Sequence, residues 1–184
     1  MSNINLYQKI DDILIFKYNR FEDQRGFFSE IYVNNIIDQH IDGFGISQIN
    51  FSKSAKNVAR GLHLQIEPKM GKLMRLIEGK AIFFAFDCRK SNFKFKKLHI
   101  LNLDNKSSLL IWAPYYYARG FISLKENTLI EYLCTSNYNP KSEYSIDLFD
   151  SHLRHSFNKK DFKQSQKDKN AISVNEWFSL NLDL

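Results

Sequence analysis

His63 stands in the segment Arg60-Gly61-Leu62-His63-Leu64-Gln65, and Lys72 follows nine residues later in a strand-like run. Tyr132 and Asp168 come much later in the chain. Histidine titrates near neutral pH and can take a carbon-bound proton. A lysine ammonium can meet an oxygen that gains charge. A phenol can deliver or accept a proton, and a carboxylate can hold an imidazole in one orientation. The four together suit proton abstraction beside a carbonyl better than they suit binding alone. Each residue also has a plainer reading. A lone histidine is often structural, a strand lysine can snorkel to the surface, a strand tyrosine usually packs, and Asp168 between Lys167 and Lys169 reads as a surface charge.

The elements that must position these residues are mainly strands. The 16 Phe and 9 Tyr of this 184-residue chain favour extended structure. Ile13–Lys17 reads as a first strand, Asp23–Gly26 as a turn, and Phe27–Tyr32 as a further extended run. Ile36, Ile37 and Ile41 give Asn34–Ile41 a short helical spacing. Ile46–Ser52 alternates like a half-buried strand. Strands follow at Arg60–Gln65, Lys72–Ile77 and Lys80–Asp87, the last two around a turn at Glu78-Gly79, then at Leu98–Leu103, Leu109–Trp112, Phe121–Leu124 and Leu129–Cys134. Alternation sets Tyr132 on the face opposite Glu131 and Leu133. Breaks about every 8–12 residues give the rhythm of a β-sandwich or barrel. The polar stretch Asp150–Lys169 shows no clear element, and Ile172–Leu180 fits a terminal helix with Val174, Trp177 and Phe178 on one side. Residues 1–184 show no linker or repeat, so one domain is expected.

The formal charge of +6 calls for an anionic partner. The basic residues are scattered, and the denser stretch Asn158–Lys169 also holds Asp161 and Asp168, so a nucleic-acid arm is not expected. A phosphate-bearing small molecule is the more specific alternative to a merely solvated surface. No apolar run approaches the roughly 20 residues of a membrane helix. Cys88 and Cys134 form no paired motif and read as reduced core thiols, which points to the cytoplasm. The N-terminus shows no secretory pattern. Metal chemistry is not expected: the His-x-His pair that would put two ligands on one strand face is here His63-x-Gln65. No P-loop, dinucleotide glycine turn or nucleophile elbow occurs.

The ordered pieces Asp23-Gln24-Arg25-Gly26-Phe27-Phe28-Ser29-Glu30, Gln48-Ile49-Asn50-Phe51-Ser52, Arg60–Gln65, Gly71–Arg75, Gly79–Arg89, Tyr132–Thr135 with Tyr138, and Ser165–Asp168 resemble the dTDP-4-dehydrorhamnose 3,5-epimerase family of the cupin superfamily. The likeness runs from about Ile13 to Trp177. It implies an all-β cupin jelly roll with a few short peripheral helices, a homodimer that shares strands, no cofactor, and a nucleotide-diphosphate 4-keto-6-deoxy sugar as substrate. The C4 ketone of such a sugar acidifies the hydrogens on C3 and C5. By resemblance His63 is the base, Asp168 its dyad partner, Lys72 the enolate-stabilising cation and Tyr132 the acid on the opposite sugar face. Arg25, Glu30, Gln48, Asn50 and Arg60 match positions along the sugar or diphosphate, and Phe28 and Tyr138 match positions near the nucleotide base.

Two departures bear on the substrate. The family's Ala-His-Gly-Phe is here Ala118-Arg119-Gly120-Phe121, which adds a permanent charge to the pocket. The usual Ile-x-Trp is replaced around Leu153–Phe157. Divergent relatives act on GDP-linked 4-keto heptoses in capsule synthesis, so a GDP-linked and a dTDP-linked sugar are both compatible, within surface polysaccharide or capsule biosynthesis. Inversion at C3 or C5 alone, and a non-catalytic nucleotide-sugar binding module, are the alternatives. 3,4-Ketoisomerisation is disfavoured by the His63, Tyr132 and Asp168 match.

Overall fold

Alternation along the strands sorts side chains into layers, and the layers decide what the chain can enclose. The computed structural model describes residues 3–93 and 97–184. Its strands are β1 (Ile4–Ile10), β2 (Ile13–Tyr18), β3 (Phe21–Asp23), β4 (Gly26–Phe28), β5 (Gln48–Ser54), β6 (Ala59–Gln65), β7 (Lys72–Glu78), β8 (Lys80–Asp87), β9 (Leu98–Asp104), β10 (Leu109–Ala113), β11 (Tyr117–Ser123), β12 (Thr128–Cys134) and β13 (Glu143–Ser145). Short helices follow α1 (Asn34–Asp38), α2 (Gln166–Lys169) and α3 (Val174–Ser179). A six-stranded sheet runs β1-β2-β10-β7-β12-β5 and a five-stranded sheet runs β13-β6-β11-β8-β9. Strands β3 and β4 form a separate hairpin. The pairings within both sheets are antiparallel. This is the all-β jelly roll with short peripheral helices that the resemblance implies.

Three apolar layers hold it together. Between the sheets lie Ile13, Ile15, Phe83, Leu103, Ile111, Phe121 and Ile130. On the outer face of the six-stranded sheet, Phe16, Leu73, Leu110, Trp112 and Leu133 meet Ile37 of α1 and Phe44. On the outer face of the five-stranded sheet, Leu62, Leu64, Phe84 and Phe86 meet Ile146, Leu148, Val174 and Trp177 of the C-terminal segment. Each fully buried Leu or Phe side chain is worth about 2–3 kcal/mol. Helix α3 is fixed by a capping box between Ser173 and Glu176, and the Trp177 indole N–H donates to the Cys88 carbonyl at 3.0 Å. Both cysteines are free and buried.

The structure also corrects the sequence reading in places. β1 was not expected: it lies at a sheet edge with mostly exposed side chains, and a bulge between Leu6 and Gln8 breaks its alternation. The extended run at Phe27–Tyr32 ends as a strand at Phe28. The short helix covers Asn34–Asp38 only, and β11 begins at Tyr117, earlier than Phe121. The stretch Asp150–Lys169 carries 3-10 turns at Ser151–Leu153 and Lys159–Asp161 and then α2. The turn at Asp23–Gly26 forms as expected: Asp23 Oδ1 accepts the Arg25 N–H at 2.8 Å, and Gly26 has a φ of 127°. Among the described residues no helix is long and apolar enough to cross a membrane.

Candidate active site

Register brings the polar residues into one place. Across the six-stranded sheet, Asn50 pairs with Tyr132, which pairs with Met74, which pairs with Ile111. One row further, Gln48 pairs with Cys134 and Cys134 with Lys72. Tyr132 and Lys72 therefore share the inner face, opposite to Leu133 and Leu73 on the outer one. In the five-stranded sheet His63 pairs with Arg119 on one side and Ser145 on the other. A bulge disturbs the β6–β11 pairing between Arg119 and Phe121. Gly61 permits it: its φ is 101°, and a Cβ there would lie 2.6 Å from the Arg119 carbonyl oxygen.

The facing rows enclose a cavity of about 350 Å³. Its polar lining includes His63, Lys72, Arg119, Tyr132 and Asp168, and Met74, Phe83, Ile111, Phe121 and Ile130 supply apolar surface. His63 and Asp168, 105 residues apart, stand 2.6 Å from Nε2 to Oδ1. Asp168 is buried, with 2% of its surface exposed, although lysines flank it in sequence. Helix α2 explains this. Ser165 caps it, accepting the Asp168 N–H while its hydroxyl donates to Asp168 Oδ2 at 2.7 Å. The Gly61 N–H also donates to Oδ1 at 3.3 Å. Burial pushes the Asp168 pKa up, but the hydrogen bond and charge of His63, with Ser165 and Gly61, outweigh it and hold the carboxyl below its ordinary range. An ionised carboxylate only accepts, so Nε2 donates this bond, and whenever the ring is neutral the lone pair is on Nδ1. An imidazole oriented in this way can act as a base.

The opposite wall holds the acid and the cation. Tyr132 Oη lies 3.0 Å from Ser52 Oγ, and desolvation pushes its pKa up to about 12. It therefore stays a protonated phenol at neutral pH. Lys72 Nζ lies 5.7 Å from the centre of the Tyr132 ring. Burial, with the like charge of Arg119, pushes the Lys72 pKa down to about 8. Arg119 is 4% exposed.

The remaining expected site residues divide. Asn50 and Arg60 line the cavity, and Arg60 is steadied by Ser54 Oγ at 3.1 Å. Gln48 donates to Asn50 Oδ1 at 2.8 Å and accepts the Tyr138 N–H at 2.8 Å, so these two form a shelf beside the cavity. Arg25, Phe28 and Glu30 are not brought to it. Arg25 pairs with Asp23 on the exposed hairpin, Phe28 stacks with Phe21 there, and Glu30 accepts from Asn3. Sequence reading missed Glu143 and Lys167. They pair with each other, the Tyr138 hydroxyl donates to Glu143 at 2.7 Å, and Lys167 lines the cavity. The signal was present in Ser165-x-x-Asp168, a capping pattern that would have placed Lys167 beside the dyad. Gln65 is tied into its loop, donating to the Pro68 and Asn137 carbonyls and accepting the Asn139 N–H. Among the described residues no three His, Cys, Asp or Glu side chains converge as a metal site.

The model of the family described as dTDP-4-dehydrorhamnose 3,5-epimerase matches residues 7–176. The chain belongs to this family. It is 39% identical over 140 residues to the dTDP-4-dehydrorhamnose 3,5-epimerase of Salmonella typhimurium, covering 74% of this chain and 76% of the relative. The epimerase of Escherichia coli K12 is 38% identical over 143 residues, covering 75% and 76%. Among solved structures, the dTDP-6-deoxy-D-glucose-3,5-epimerase of Legionella pneumophila Philadelphia 1, in complex with dTDP-4-keto-L-rhamnose, superposes with a TM-score of 0.87 at 30% identity, covering 94% of this chain and 93% of that one. As a member of this epimerase family the protein is an isomerase of the cupin fold.

Proposed function

We propose that this epimerase inverts both C3 and C5 of a dTDP-linked 4-keto-6-deoxy sugar, through enolates and without a cofactor. One observation carries the reading: the base and the acid stand on opposing sheets of a single cavity, His63 on β6 and Tyr132 on β12. Inversion needs a proton removed from one face of a carbon and another delivered to the opposite face. His63 Nδ1 takes the proton beside the C4 ketone. The C–H electron pair becomes the enolate double bond, and the carbonyl pair moves onto oxygen, where the Lys72 ammonium meets it. Tyr132 then protonates the carbon from the far side and recovers its proton from solvent by way of Ser52. The same pair serves the second carbon after the sugar ring turns over.

The similarity to relatives that act on dTDP-sugars favours dTDP over a GDP-linked heptose. The +6 charge suits the diphosphate, and the free thiols suit a reducing cytoplasm. The pathway this reading fits is surface polysaccharide synthesis.

The functional unit in this proposal is a homodimer. Strand β5 is a sheet edge whose outward Ile49 and Phe51 are exposed, as are Phe27 and Phe28 on the hairpin. A partner laid along β5 covers them and carries its Arg25 and Phe28 to the shelf of Gln48 and Tyr138. Phe51→Asp is expected to convert the dimer to monomer by light scattering after size exclusion; a wild-type monomer at micromolar concentration contradicts the dimer.

Mass spectrometry after incubation of dTDP-linked and GDP-linked 4-keto-6-deoxy sugars in D2O tests the reaction. Two deuteriums gained with the dTDP sugar are expected. One deuterium favours inversion at C3 or C5 alone. A preference for the GDP sugar overturns the nucleotide assignment, and no uptake despite binding leaves a binding module.

A further inference from the structure

Arg119 is a buried cation with three of its five N–H donors, one on Nε and two on Nη2, left unpartnered among the described residues. Nη1 donates to the carbonyls of Met70 at 2.9 Å, Ala113 at 3.3 Å and Pro114 at 3.3 Å. Nε and Nη2 find no partner among the described residues. A guanidinium stripped of water and left with unpaired donors is costly to the fold, so it is retained where something else meets it. Nε and Nη2 form the side-on edge of the guanidinium, the edge that grips two lone pairs of one oxygen or two oxygens of one group.

Position says what that group is. Arg119 and His63 are direct cross-strand neighbours on the cavity face, about 5 Å apart at Cβ. Ala113, which accepts from Nη1, is the sheet partner of Lys72. The guanidinium thus lines the same cavity as the base on its own sheet and the lysine on the other, and its charge reaches Lys72. When a base removes a proton beside a carbonyl, the charge appears on an oxygen bonded to the neighbouring carbon. An unpartnered donor edge on a residue that lines the cavity with His63 and Lys72 offers that oxygen a site.

We propose that Arg119 is a second oxyanion cation, whose Nε–Nη2 edge holds the enolate oxygen jointly with Lys72. This rests on the epimerase reading and deepens it. In the step, the C–H bond breaks toward His63, its electron pair forms the carbon–carbon double bond, and the carbonyl pair settles on oxygen between the two cations. Protonation at carbon by Tyr132 reverses the flow. Two fixed cations at one oxygen raise the acidity of the adjacent carbon without reorganisation at the moment of reaction.

The test uses Arg119→Met and Arg119→Lys in the full-length protein, with deuterium uptake by the dTDP-linked 4-keto-6-deoxy sugar, kcat and KM, and the pH profile of kcat. Arg119→Met is expected to lower kcat about 100-fold, the scale of losing one oxyanion donor, with KM moved less than about threefold. Its basic limb should shift to higher pH, because Lys72 loses a like charge that helps depress it; the other titratable groups acting on Lys72, the Cys134 thiol and the charged Glu143 and Lys167, stay. Arg119→Lys keeps the charge and loses the two-donor edge, so kcat should fall while the limb stays. If Arg119→Met does not fold, Arg119→Lys decides the matter on kcat alone. Wild-type kcat in either folded variant, or a loss confined to KM, overturns the proposal. Wild-type protein that takes up no deuterium overturns the epimerase reading itself, which separates the two failures.

Discussion

The two faces of strand β6 obey different rules. Outward, Leu62 and Leu64 are fully buried against the C-terminal segment with Trp177. Inward, Gly61, His63 and Gln65 face polar company, and His63 looks onto a cavity it shares with two buried or half-buried cations, Lys72 and Arg119. The outer face is close-packed and apolar, where every contact adds to stability. The inner face holds charge that water has left, which lowers stability and raises reactivity. The scaffold's stability comes from the outer layers, and the charged cavity lowers it.

Substitutions on the two faces should therefore separate activity from stability. His63→Ala is expected to lower turnover roughly 10⁴-fold, the upper range for a general base, with a melting curve close to wild type; retained turnover would remove the base. Trp177→Ala on the outer layer is expected to cost about 3–5 kcal/mol in denaturant melts, with kcat of the folded fraction within about twofold of wild type, since the site lies on the other side of the sheet. A large kcat loss there would show that the faces are coupled. Lys72→Met should abolish most turnover and yet stabilise the fold by about 1 kcal/mol at neutral pH. The sign follows from the depressed lysine. Its folded pKa of about 8 lies below the ordinary 10.5, so its protonated form is penalised by folding at low and neutral pH. That penalty fades as pH rises from about 8 toward 10.5, and the advantage of Lys72→Met should fade over the same window. An advantage constant from pH 6 to 11 would contradict the account.

Much of this division was visible in the sequence. Alternation in Leu129–Cys134 set Tyr132 on the face opposite Leu133, whereas Lys72, in the irregular run Lys-Leu-Met-Arg-Leu-Ile, reads equally as a surface lysine and is placed by the β12–β7 register. The edges were not visible. β1 loses its period at a bulge between Leu6 and Gln8, and β13 has only three residues, too few to carry one. Glu143 escaped because only the β13–β6 pairing brings it in, and Lys167 because its one signal, the Ser165 cap, stands alone in a polar stretch without apolar periodicity. Arg119 was visible as an oddity, but its anchoring to Met70, Ala113 and Pro114 joins segments that only the folded register brings together.

The most direct measurement is NMR of the dTDP-linked 4-keto-6-deoxy sugar in D2O with Tyr132→Phe beside wild type. If the base and the acid work from opposite walls, the variant should still exchange carbon-bound hydrogen through His63 and return it to the same face, giving deuterated sugar of unchanged configuration. Wild type should give deuterated, inverted product. Inversion by Tyr132→Phe at the wild-type rate would contradict the two-wall account.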